Sequence, residues 1–233
     1  SLPVADLIAD GRPAILRGIA RELPLVTAGL ESGESAIAWL KQFDGGRPVT
    51  AYVGEPAIGG RFGYTEDCTA LNFARESGSL SGYLDRLLVG MGDPDAPGIY
   101  IGSTDIDLYL PGLRAQAALP FGDPQLVEHP PLVSIWIGNR TTARAHFDMS
   151  NNIAVTLVGH RRFTLFPPDQ AANLYPGPFD LTPAGQVVSM VDFDEPDLAL
   201  HPGFAQALAA AEVAEMAPGD ALIYPALWWH QVE

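Results

Sequence analysis

His146 and Asp148 stand two residues apart in His146-Phe147-Asp148, and a third donor, His230, closes the segment Pro218-Gly219-Asp220 to Trp228-Trp229-His230. Residues i and i+2 of a β-strand point to one face, so both side chains can reach one ion while Phe147 packs behind. Two imidazoles and one carboxylate are the protein half of a facial iron(II) site. Such a site leaves coordination positions open for small ligands and dioxygen, which a closed tetrahedral zinc site does not. With 5 His and 28 acidic residues among 233, chance supplies a bare His-x-Asp/Glu about as often as not, so the weight falls on the segments around the pattern.

Three segments must position these donors. Asn152 to Val158 reads as a strand, then Gly159-His160 as a turn and Arg161 to Phe166 as a second strand ending at Pro167-Pro168, a hairpin directly after the ligand pair. Pro218-Gly219-Asp220 is a turn tripeptide leading into the apolar strand Ala221 to Tyr224, with His230 just beyond. Val133 to Gly138 is a strand leading into Asn139-Arg140 and the ligand segment.

The ordered series of His146-Phe147-Asp148, Gly159 through Gln170, Leu174-Tyr175-Pro176, Val191-Asp192-Phe193-Asp194 and Pro218 through His230 resembles the cupin-like JmjC hydroxylases. Within that family it is most similar to the asparaginyl hydroxylase that inhibits hypoxia-inducible factor. The resemblance covers residues 131–233, and Arg12 to Gly18 is similar, more weakly, to the family's first strand. It implies a mainly β double-stranded β-helix (jelly roll) with flanking α-helices. The activity it implies is that of an iron(II)- and 2-oxoglutarate-dependent dioxygenase, which couples decarboxylation of 2-oxoglutarate to hydroxylation of a C–H bond.

On the same resemblance His146, Asp148 and His230 are the iron ligands. Arg161 anchors the distal carboxylate of 2-oxoglutarate where the family usually has Lys. A guanidinium pairs with a carboxylate in bidentate fashion, but its greater length implies a deeper pocket or a different acid. Ala143 stands where relatives offer a hydroxyl, with Thr142 or Thr141 as substitutes, although a shift of one residue reverses the face of a strand side chain. Tyr100 aligns with a cosubstrate-supporting tyrosine and Asn152 with a polar residue beside the metal. Tyr64, Arg144 and Trp229 are the candidate substrate contacts. Plainer roles stand beside these: Arg161 as an ordinary paired strand arginine, Tyr100 as a core tyrosine, Asn152 as a backbone bridge, and Trp228 and Trp229 as rim packing. His129, His160 and His201 have no partner at ligand spacing. A cupin-fold metal-binding protein or pseudo-oxygenase without 2-oxoglutarate turnover is the alternative function. A metal hydrolase or isomerase, which recruits more histidines, is a third.

Composition agrees with a globular chain: 47% hydrophobic and 18% charged residues, with 24 Gly and 21 Pro suited to short strands joined by turns. The net charge of −15 removes the electrostatic footprint that supplies most nucleic-acid affinity. The resemblance allows a protein side chain, a small metabolite or a modified nucleoside as substrate, and the charge favours a protein side chain or small molecule over nucleic acid unless a local basic patch exists. Arg140, Arg144, Arg161 and Arg162 read as local compensation for anionic ligands. One cysteine, Cys68, excludes an intrachain disulfide and fits a reducing compartment, so a cytoplasmic location is expected. No apolar run is long enough to span a bilayer.

A single cupin-like domain is expected, with residues 1–130 as an α/β part bracing the barrel and 131–233 as the barrel core. Ser32 to Lys41 opens with a capping serine and predicts a helix. Residues 79–90 predict another through Leu80, Tyr83, Leu84, Leu87 and Leu88. Val49 to Val53 reads as a strand and Gly59 to Tyr64 as a loop over the site mouth. Pro176 to Gly203, rich in Pro, Asp and Gly, reads as a functional or mobile insertion. The barrel is expected to continue past Glu233, and C-terminal dimerisation helices of the kind relatives carry would make a homodimer.

Overall fold

A computed structural model describes residues 4–119, 126 and 128–233. Its strands, in chain order, are β1 (Ala14–Leu16), β2 (Pro48–Gly54), β3 (Arg61–Phe62), β4 (Ala74–Ser79), β5 (Gly98–Asp105), β6 (Ser134–Gly138), β7 (Thr142–Phe147), β8 (Asn152–Val155), β9 (Arg161–Phe166), β10 (Glu212–Met216), β11 (Ala221–Tyr224) and β12 (Trp229–Val232). They form three sheets, ordered β1-β11-β8, β10-β9-β12-β7-β3 and β4-β2-β5-β6. Pairing is antiparallel except for β3 against β7. The architecture is the mainly β one expected, with helices flanking the sheets.

The first two sheets close over one core. Phe163 and Leu165 of β9 and Ala214 and Met216 of β10 meet Leu222 and Tyr224 of β11, with Ile15 of β1 and Ala154 of β8 against them. Alternate side chains of each strand enter this interior, as the period of two demands. The third sheet buries Val49, Ala51, Ile99 and Ile101 against the helix Leu80–Val89, whose Leu80, Tyr83, Leu84 and Leu87 supply the apolar face. That helix begins where Ser79 Oγ accepts from the Gly82 amide, and the helix Gly33–Lys41 begins where Ser32 Oγ accepts from Ser35.

Two expectations are corrected. The strands on either side of Gly159-His160 are not a hairpin: β8 pairs with β11, while β9 pairs with β10 and β12 in the other sheet. The link is clamped where Thr156 exchanges backbone hydrogen bonds with Gly219 and Asp220 (2.8 and 3.0 Å), which carries the chain from one sheet to the next. Nor is the segment Gly59 to Tyr64 only a loop. β1 forms the edge beyond β11, and β3 inserts the Gly-rich segment as a strand beside β7.

The insertion between β9 and β10 is packed. Val187, Val188, Val191 and Phe204 are buried, the Ser189 amide bonds the Ala145 carbonyl at 2.7 Å, and the Ser189 hydroxyl donates to the Leu174 carbonyl at 2.6 Å. Among the described residues no helix is long and apolar enough to cross a membrane.

Candidate metal centre

β7 and β12 bring the far-separated donors together. His146 and His230 are direct cross-strand partners, with ring centroids 4.4 Å apart. Asp148 follows the end of β7, and its carbonyl accepts from the Leu227 amide at 2.9 Å. That bond ties the turn before β12 to the ligand segment, with Leu227 held at φ 68°. One ligand atom from each of His146, Asp148 and His230 lies within 4.8 Å of the other two. Among the described residues this is the one grouping of His, Cys, Asp or Glu suited to a metal ion.

The chemistry of the donors fits a divalent metal. His146 Nδ1 lies 2.8 Å from the Arg144 carbonyl and His230 Nδ1 3.1 Å from the Trp228 carbonyl. A carbonyl only accepts, so each Nδ1 carries the proton and each Nε2 presents a lone pair. Burial pushes the His230 imidazole down to about 3, neighbouring His146 adds to this, and the bond to Trp228 opposes it. His230 is therefore neutral at physiological pH, the form that binds metal. Its Nε2 lies 3.6 Å from Asp148 Oδ2.

The Asp148 carboxylate is held by two amides. Asn152 Nδ2 donates to Oδ2 at 3.1 Å and Gln186 Nε2 donates to Oδ1 at 3.2 Å. Asn152 thus stands beside Asp148. Gln186 was not foreseen, because it comes from the insertion with no motif around it.

Arg161 begins β9 opposite Met216, on the face that sends Phe163 and Leu165 into the interior. Among the described residues its guanidinium has no hydrogen bond or ion pair. It lies close enough to Tyr100 to affect that phenol: burial pushes Tyr100 up to about 12, Arg161 pulls against this, and Tyr52 adds to it. Among the described residues Arg161 thus has no ion-pair partner that would make it an ordinary paired arginine.

Other candidates fall elsewhere. Thr142 lines a shallow crevice with Arg61, Arg144, Asp192 and Gln231, and its amide bonds the Gly60 carbonyl. The hydroxyl beside Tyr100 is that of buried Thr141: both crowd the position where a Cβ on Gly138 would lie. Trp229 is 2% exposed and packs on Phe147 at 5.1 Å in a core outside the barrel. It offers no face to a substrate. Tyr64 is also buried, with Arg144 over Gly63 beside it and its hydroxyl unpartnered among the described residues. Tyr224 was overlooked although its strand was expected. Alternation from Leu222 places it inward, and its hydroxyl lies 3.4 Å from His230 Nε2.

A mainly β barrel carrying two histidines on adjoining strands and an aspartate just past the end of one defines the class, and the match of residues 2–233 to the Cupin-like domain family shows that the chain belongs to it. Similar proteins are the tRNA wybutosine-synthesizing protein 5 of Danio rerio, 38% identical over 85 residues (36% of this chain, 23% of that protein), and its human counterpart, 33% identical over 87 residues (37% and 25%). The HSPB1-associated protein 1 homolog of Danio rerio is 34% identical over 104 residues (43% and 22%). The matched stretch thus spans no more than 25% of these relatives' own length. These similarities support the family at large and not specifically the asparaginyl hydroxylase branch.

Proposed function

We propose that this chain is an iron(II)- and 2-oxoglutarate-dependent dioxygenase that hydroxylates a protein side chain or small molecule. The observation that carries the reading is the grouping of His146, Asp148 and His230 with both Nε2 atoms unprotonated and turned to the site, in a barrel that also holds Arg161, unpaired among the described residues. Three protein donors leave positions free for exogenous ligands. When bound, iron(II) supplies the dioxygen activation that couples 2-oxoglutarate decarboxylation to C–H hydroxylation.

The chain's own groups have definite tasks. His146, Asp148 and His230 hold the metal, and Asn152 and Gln186 fix the carboxylate. Arg161 anchors the distal carboxylate of the cosubstrate, with Tyr100 within its electrostatic reach. The apolar wall of Phe163, Leu165, Leu222 and Val232 excludes water around the reacting groups.

Two of the relatives are tRNA wybutosine-synthesizing proteins, but a net charge of −15 disfavours a nucleic-acid surface here. A protein or small-molecule substrate in the cytoplasm remains the proposal. Iron(II)-loaded protein mixed anaerobically with 2-oxoglutarate should develop a visible metal-to-ligand charge-transfer band, and oxygen should then release succinate. Bound iron with neither band nor succinate would favour the metal-binding alternative.

A further inference from the structure

Tyr224 closes β11 with its side chain turned inward. It is 5% exposed, its ring centroid lies 4.8 Å from that of His230, and its backbone pairs with Asn152 of β8. Its hydroxyl makes one hydrogen bond among the described residues, to His230 Nε2 at 3.4 Å, longer than the usual range and correspondingly weak.

That bond competes with the function of the nitrogen it engages. His230 Nδ1 is committed to the Trp228 carbonyl, so Nε2 has one lone pair, and a metal ion needs it. A metal there takes the acceptor away from a buried phenol. A buried donor left without an acceptor is costly. Nearby protein acceptors do not take it up: His146 Nε2 serves the same metal, the Asp148 oxygens are shared among the metal, Asn152 and Gln186, and among the described residues the Tyr224 hydroxyl makes no hydrogen bond to Asp148 or Tyr100. What remains beside His230 is whatever occupies the positions the three protein ligands leave open.

We infer that Tyr224 is a further residue of the metal centre, its hydroxyl donating to the oxygen of a small anionic ligand bound to the metal next to His230. A carboxylate oxygen suits such a donor. The phenol then changes partner as the site fills, from His230 in the empty protein to the exogenous ligand in the loaded one. This rests on His146, Asp148 and His230 being the metal ligands and does not require that 2-oxoglutarate be used.

The test is made with cobalt(II)-loaded protein, whose visible d–d absorption reports ligand binding without turnover. Oxalate and 2-oxoglutarate are titrated separately into the wild type, Tyr224→Phe and Tyr224→Leu, with thermal melts showing that each variant is folded. Cobalt(II) should bind Tyr224→Phe at least as tightly as the wild type, since nothing then competes for His230. Oxalate affinity should fall about 5–10-fold. Unchanged oxalate affinity in the folded variants overturns the inference, as does failure of the wild type to bind cobalt(II). An iron(III)-phenolate band in the wild type that Tyr224→Phe lacks also overturns it, by making the hydroxyl a metal ligand instead of a donor. If oxalate binds in a Tyr224-dependent way and 2-oxoglutarate does not bind, the inference stands and the proposed cosubstrate falls.

Discussion

Gln186 donates its side-chain amide to Asp148 across 3.2 Å, from the insertion that separates β9 from β10. The insertion thereby reaches the metal centre. With Asn152 on the other oxygen, the carboxylate keeps one orientation, and outer partners of this kind raise metal affinity by about 10–100-fold. Gln186→Ala should weaken cobalt(II) binding by about 10-fold in calorimetric titration, with little change in thermal stability. Gln186→Glu should be worse, because it sets a second carboxylate against Asp148. Wild-type affinity in both variants would show the contact to be incidental.

Asp148 and Arg161 separate metal binding from anion binding. Asp148→Ala removes the anionic ligand and should abolish tight binding of iron(II) or cobalt(II). Arg161→Ala should leave metal affinity largely intact and weaken 2-oxoglutarate by at least about 10-fold, the cost of losing a charge-assisted pair. Equilibrium dialysis of metal and cosubstrate on both variants reads the two effects separately. Normal 2-oxoglutarate binding by Arg161→Ala would strip that residue of its anchoring role.

How much of this was legible beforehand follows from the range of the interactions. Ser32 and Ser79 cap helices through contacts three residues away, and His146 and Asp148 share a site through strand periodicity, so local sequence carried them. The partner of β8 was not local. The five residues from Thr156 to His160 would serve a hairpin or a crossover, and the bonds of Thr156 to Gly219 and Asp220 decide for the crossover. Gln186 was illegible for the same reason: a glutamine in a Pro- and Gly-rich stretch has no pattern that says what it faces. The choice between Thr141 and Thr142 turned on a one-residue register, which shifts where β7 pairs with β12 between His230 and Val232, next to the parallel pairing of β3 with β7.

Gly60 makes that pairing sterically demanding. It sits at φ +75°, its carbonyl accepts from the Thr142 amide at 2.9 Å, and a Cβ there would lie 2.0 Å from the Arg140 carbonyl oxygen. The clash is with backbone, so no rotamer change relieves it. Gly60→Ala should cost about 3 kcal/mol or more, by forcing β3 away from β7 or straining the φ. Urea denaturation measures this, and a loss below about 1 kcal/mol would mean that the edge shifts freely.

Asp220 gives the fold a pH dependence remote from the metal donors. Its side chain is 7% exposed and accepts from the Gly18 amide at 2.8 Å, the Ala217 amide at 3.1 Å and Arg17 Nη1 at 2.5 Å. Burial raises its pKa, but the Gly18 and Ala217 amides and the Arg17 guanidinium outweigh this and hold it below the ordinary 3.8. A carboxyl with a lowered folded pKa contributes stability that is fully present above the unfolded value and lost as pH falls through the folded one. Arg17 is 59% exposed, so its ion pair adds little, and the two amides carry most of the effect. Asp220→Ala should therefore cost about 3 kcal/mol at pH 7. The gap from wild type should hold down to about pH 5 and narrow progressively below 3.8 as Asp220 protonates in the wild type. Urea titrations of both proteins across that range check the sign, and a gap that widens toward acid would contradict the assignment of the charged carboxylate as the stabilising form.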